Sequence, residues 1–211
     1  MYKTVKGYGE DSFIVKKSEF IGYTQFIETE AQALDFIDKI KSKNHDATHN
    51  CYAYIIGEKA MVQRFSDDGE PSGTAGIPIL EVMKRENIVN CVIVVTRYFG
   101  GIMLGAGGLI RAYSNGAVIA INNAKRVMMK EHYNIKFKYD YTHHGKIENI
   151  LMNLGYKINN MEFLDQVLMD IVIPQDEYEA FEKEMQNILS GEFNIITKNM
   201  IMEGVEIEAK D

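Results

Sequence analysis

The sequence predicts an α+β protein built as two small domains, and three observations carry that prediction. Its 211 residues exceed what one compact core needs and suffice for two. Strand-period and helix-period apolar patterns alternate along the whole chain. Near residue 130 the order settles into strand, helix, strand, strand, helix, strand, which is the split βαβ or ferredoxin-like arrangement. The expected domains are therefore 1–130 and 131–211.

In the first domain, extended segments are expected at 2–6, 12–17 and 20–26. Gly7, Gly9 and Ser18-Glu19 would serve as turns of an antiparallel meander. Residues 30–42 place Ala33, Leu34, Ile37 and Ile40 at helical spacing, with Asp35, Lys39 and Lys41 on the other face. Residues 51–56 and 60–65 read as a hairpin, followed by a polar loop over 66–76. A short helix over 77–85 accepts Pro78 in its first turn, where the missing N–H costs little. Residues 91–96 are apolar on both faces, which marks a central strand. A glycine-rich segment, 100–108, leads into a helix over 109–123. The second domain reads as strand 132–139, helix 145–153, strands 156–163 and 167–173, helix 175–189 and strand 193–202.

Composition narrows the class. A chain that is 46% hydrophobic and 25% charged matches an ordinary globular protein and argues against disorder or a fibrous repeat. The first eleven residues lack the apolar region of a secretory signal. The β-branched run at 92–95 is far too short to span a bilayer. Two cysteines, Cys51 and Cys91, make neither a disulfide framework nor a four-thiolate metal site, which fits a cytoplasmic protein with no metal and no cofactor.

The net charge of −7 is unevenly spread: residues 1–130 hold 16 basic and 14 acidic side chains, residues 131–211 hold 7 and 16. These give +2 and −9. An acidic half repels phosphate backbones, so a polyanionic partner would meet the first domain.

Within that domain the run from Thr96 to Tyr113 joins a buried strand, a glycine-rich loop and a helix N-terminus. Such a loop lets backbone N–H groups approach an anion, aided by the positive end of the helix dipole. The candidate nucleic-acid- or anion-binding residues are Arg97, Tyr98, Gly100, Gly101, Gly105, Gly107, Gly108 and Arg111. The same glycines also suit tight turns and close packing with no ligand, and Asp67, Asp68 or Glu70 could neutralise the arginines. After Gly105-Ala106-Gly107 position 110 is Ile, so the dinucleotide fingerprint fails, as does the Walker pattern. A rim to this groove is expected from His45, His49 and Asn50, and from Asp67, Asp68, Glu70, Ser72 and Thr74 of the polar loop. Tyr98, Phe99 and Tyr113 are candidates for stacking on bases, or for the core. His45, His49 and Cys51 lack zinc-like spacing, and a half-buried strand makes Cys51 a poor nucleophile.

Three segments together resemble the IMPACT/YigZ family. They are His45-x-Ala47-Thr48-His49-x-Cys51-Tyr52-Ala53-Tyr54, the run from Asp67 to Gly76, and Arg97-Tyr98-Phe99-Gly100-Gly101 with Leu104-Gly105. The resemblance covers nearly the whole chain in the two-domain bacterial form. It implies a first domain folded like domain 2 of ribosomal protein S5, and a second similar to domain V of elongation factor G. In eukaryotic relatives the resemblance implies restraint of a starvation-responsive kinase of initiation factor 2 by competition for its activator. Those relatives carry an additional N-terminal RWD domain that is not expected here, so that role is not carried over. The expectation is a translation-associated binding protein whose partner is RNA, the ribosome or a translation factor. The alternative is a phosphate-binding enzyme, kinase-like or a hydrolase, that uses the same glycine loop with the 67–70 carboxylates.

Overall fold

The computed structural model describes residues 1–191 and 193–207. The chain forms two compact units, one of residues 1–129 with 204–207, the other of residues 130–203. The first contains β1 (Tyr2–Val5), β2 (Gly9–Val15), β3 (Ser18–Phe26), α1 (Glu30–Lys43), β4 (His49–Ile56), β5 (Val62–Ser66), α2 (Gly76–Glu86), β6 (Cys91–Tyr98), α3 (Ala106–Ala124) and the start of β7 (Arg126–Tyr139).

Five strands make its main sheet, in the order β2-β3-β6-β4-β5, every neighbouring pair antiparallel. β6 is central, as its double-sided apolar pattern predicts. Cys91, Ile93 and Val95 face a core that includes Ile79 and Met83 of α2 and Tyr113 and Ala117 of α3. Val92 and Val94 face the opposite layer, with Phe36, Ile37 and Ile40 of α1. Alternation along one strand thus serves two cores. α1 starts on a capping box in which Thr29 and Gln32 satisfy each other's backbone donors.

α3 comes unusually close to the sheet. A Cβ on Gly22 of β3 would stand 2.1 Å from the carbonyl oxygen of Gly116. Only a glycine there permits that approach.

The second unit continues β7 and adds α4 (His144–Leu154), β8 (Lys157–Phe163), β9 (Val167–Pro174), α5 (Tyr178–Ile188) and β10 (Asn194–Ile207). β7 lies between β9 and β10, with β8 outside β9. This is the βαββαβ order read from the sequence. Ile135 and Phe137 of β7, Met169 and Ile171 of β9, Leu151 of α4 and Phe181 of α5 form its core.

The structure corrects four sequence expectations. β1 is not part of a meander with β2; it pairs antiparallel with the start of β7, Tyr2 opposite Met129. A partner 127 positions away leaves no local trace. The β2–β3 turn falls on Lys16-Lys17 and not on Ser18-Glu19, because Ser18 is buried and its Oγ accepts the Gly100 N–H at 3.2 Å. α3 begins at Ala106 and takes in Gly107 and Gly108 despite their poor helix propensity. Finally, a cut at 130 falls inside β7, and residues 204–207 return to the first unit, where Gly204 lies against Val127.

Candidate functional site

The polar loop after β5 folds back on β4 and β6 through its own carboxylates. Asp67 accepts backbone N–H bonds from Gly73 at 2.8 Å, Ala75 at 3.1 Å and Gly76 at 2.8 Å. Ala75, the residue preceding α2, has no capping side chain, so Asp67 supplies the anion that the helix N-terminus favours. Asp68 takes a left-handed φ of 43°. It accepts the Asn50 N–H at 2.7 Å and the Lys41 ammonium at 2.8 Å. His49 Nδ1 donates to the Asp68 carbonyl at 2.8 Å.

Glu70 is the centre of this assembly. Its Oε1 accepts from Arg97 Nη1 at 2.6 Å and from the Tyr113 hydroxyl at 2.8 Å, and His49 Nε2 lies 3.9 Å away. Both charged side chains are almost fully buried, Arg97 at 7% and Glu70 at 3% exposure. Burying them separately would cost several kcal/mol each, so the pair stands or falls together. Burial, reinforced by Cys51 and Glu70, drives the Tyr113 hydroxyl well above the ordinary phenol range and keeps it a donor. The Cys51 thiol donates to the Asp67 carbonyl at 3.0 Å, and burial pushes its pKa upward, the reverse of what a nucleophile needs.

Strand register sets a row across one face of the sheet. Phe13 on edge strand β2 opposes Phe20 on β3, Phe20 opposes Arg97 on β6, and Arg97 opposes His49 on β4. The Phe13 and Phe20 rings stack at 5.4 Å, and the Arg97 guanidinium lies over Phe20 at 5.5 Å. Arg97 is thus two strands inward from the edge, closed over by Glu70 and Tyr113.

Arg111 is elsewhere. It is exposed and makes no ion pair among the described residues. With Phe13, Val15 and Lys16 of the β2–β3 hairpin, and Leu104, Gly108, Ala112 and Asn115, it lines a recess of about 390 Å³. A larger recess, about 590 Å³, involves Ile55, Met83 and Ile88 at the other end of the sheet and none of the candidate residues. The structure therefore does not bring Arg97 and Arg111 into one groove: Arg97 is a frame element and Arg111 a surface cation.

The other candidates divide the same way. Asn50 is buried and accepts from the Thr96 hydroxyl at 2.7 Å, and Thr74 donates to the Pro71 carbonyl at 2.6 Å. The Tyr98 hydroxyl donates to Asn44 at 3.1 Å and Asp46 at 3.2 Å. His45, Ser72, Gly101, Gly105 and Gly107 are exposed. Gly101 and Gly105 have φ of 82° and 71°, which only glycine holds easily. Gly100 packs on the hairpin tip, where a Cβ would stand 2.0 Å from the carbonyl of Lys17. Around it Phe99 is 49% and Met103 83% exposed.

Sequence reasoning missed Lys16 and Lys17. They form the two-residue connection of the β2–β3 hairpin, with φ of 44° and 65°. That primed geometry favours Asn-Gly. The available signal was a Lys-Lys pair between two strand-patterned runs.

Residues 16–121 match the model of the Impact N-terminal domain, and residues 137–192 match a domain of unknown function, DUF1949. The IMPACT family member YvyE of Bacillus subtilis is 42% identical over 194 residues, covering 92% of this chain and 89% of that protein. The IMPACT family member YigZ of Escherichia coli is 31% identical over 188 residues, covering 86% and 90%. The rat Protein IMPACT is 37% identical over 81 residues, 34% of this chain and 25% of that protein. A crystal structure described only as that of a hypothetical protein aligns with TM-score 0.57 at 28% identity, covering 92% of this chain and 95% of that one. No helix among the described residues is long and apolar enough to cross a membrane. With both domain models and full-length relatives matched, the chain belongs to the IMPACT family.

Proposed function

We propose that this protein is a regulatory binding protein of translation that engages RNA on the ribosome through the β2–β3 hairpin tip, the glycine loop and the N-terminal turns of α3. The observation that carries the reading is the Lys16-Lys17 turn. Two lysines hold left-handed backbone angles at the hairpin tip, which costs about 1–2 kcal/mol per residue relative to a relaxed conformation. Packing alone offers no return for two ammonium groups at that tip; a phosphate backbone does. Gly100 sits against this turn, and Arg111 stands unpaired on the same side of the unit.

The enzyme alternative asks the 67–70 carboxylates to hold a metal or move a proton. Asp67 already accepts three backbone N–H groups, Asp68 accepts two donors, and Glu70 is closed in by Arg97 and Tyr113. Their engagement within the fold favours binding over turnover.

Co-sedimentation with ribosomes across a salt series tests the proposal. The intact chain is expected to pellet with ribosomes at low salt and release as salt rises. Lys16→Glu with Lys17→Glu should abolish pelleting without changing the melting temperature. Pelleting that survives both the charge reversal and high salt would sink it.

A further inference from the structure

We infer that the recess beside the hairpin holds one unstacked nucleotide, so that the RNA bound here is single-stranded and not duplex. The inference deepens the proposed function and rests on it. Three features of the recess point the same way.

Its volume, about 390 Å³, is of the size that encloses a small organic ligand and not a helix. Its lining combines apolar side chains, Phe13, Ile14, Val15, Leu104 and Ala112, all but Ile14 at least half-buried, with two exposed cations, Lys16 and Arg111. A duplex presents phosphates and hides base faces, so a duplex-binding surface has no use for an apolar recess between its cations. A single strand turns out its bases, and stacking on an aromatic ring adds about 1–3 kcal/mol per base. Phe13 is suited to that role: its ring is already held flat against Phe20, at 5.4 Å and 11° between planes.

Arg111 supplies the second half of the argument. Its side chain reaches back along α3, so that a Cβ on Gly107 would lie 3.8 Å from Nη1. A cation over the first turn of a helix opposes the macrodipole, and no residue in that turn is acidic. An incoming phosphate would neutralise Arg111 and meet the free N–H groups of the same turn. A base in the recess and a phosphate at Lys16 and Arg111 would use the recess's apolar lining and both of its cations. Asn115, exposed on the rim, offers a side-chain amide to a base edge.

Fluorescence anisotropy with a labelled single-stranded 12-mer RNA, and with the same sequence annealed to its complement, tests the inference on the full chain. The single strand is expected to bind at least tenfold tighter. Asn115→Trp plugs the recess from an exposed position and should weaken single-strand binding about tenfold, leaving the melting temperature and the weak duplex binding unchanged. Phe13→Leu should cost the single strand several-fold in affinity and the duplex nothing, so that the preference for the single strand narrows. Equal binding of the two RNAs, or an Asn115→Trp variant that binds as the parent does, overturns the recess while leaving a polyanion-binding surface in place. Loss of both RNAs at low salt in the parent chain removes that surface as well.

Discussion

Arg97 illustrates how a residue's chemistry changes with its neighbours. In sequence it stands at the head of a glycine-rich loop and reads as a ligand-binding cation; in the fold it is buried against Glu70. Its value is therefore stability. Glu70→Ala should destabilise the chain by about 3–5 kcal/mol, because it strands a buried guanidinium. Arg97→Met combined with Glu70→Leu should recover much of that loss. Urea denaturation of Arg97→Met, Glu70→Leu and the double variant measures the coupling, and additivity would contradict the paired reading. The cysteines make the second residue-scale prediction. Burial holds the Cys91 thiol up to about 12 and pushes Cys51 in the same direction. Native protein should resist a thiol reagent between pH 7 and 9, and both thiols should react once denaturant is added. The sign for stability follows: above about pH 9 the unfolded thiols lose protons that the folded ones keep, so stability falls as pH rises. Denaturation at pH 8 and pH 10 checks it.

Among elements, the β2–β3 hairpin and α3 separate what local pattern reveals from what it hides. β6, α1 and the whole βαββαβ series were legible because apolar period is a local property. The extended start of β4 and the pairing of β1 with β7 were not, because they depend on which distant backbone is free to pair. The candidate site was half legible. His49, Asp68, Glu70 and Arg97 do converge, but only strand register shows that their convergence is internal. The hairpin itself was legible, but its turn reads two residues late in the sequence, because Ser18 looks like a turn residue until the Gly100 N–H donates to its hydroxyl. Replacing Lys16-Lys17 by Asn-Gly should relax both left-handed residues and raise stability by about 1 kcal/mol, while weakening RNA binding. Gain of stability with unchanged binding would remove the lysines from function. Gly22→Ala should cost about 1–3 kcal/mol, since the added methyl meets the Gly116 backbone and not a side chain that can move.

For the whole molecule, the total charge and the local charge make opposite forecasts about RNA. A net −7 predicts repulsion, which would leave association weak and falling in low salt, where the acidic residues are least screened. A local patch of Lys16, Lys17 and Arg111 predicts attraction that weakens with salt in proportion to the phosphates neutralised. Screening decides between them: at 0.1 M salt the Debye length is about 10 Å, so contact-distance charges count and the rest of the surface is largely silent. With three cations each meeting one phosphate of a single strand, the logarithm of the binding constant should fall against the logarithm of salt with a slope of about −2. Lys16→Ala or Arg111→Ala should each make the slope shallower by about 0.7. A slope of about −5 or steeper would demand a far wider basic surface than three side chains provide. A slope near zero would mean that the exposed apolar residues, Phe99 and Met103 foremost, make the contact and that the partner is a protein. The same titration, run on the unaltered chain, thus weighs the surface's cations against its apolar side chains.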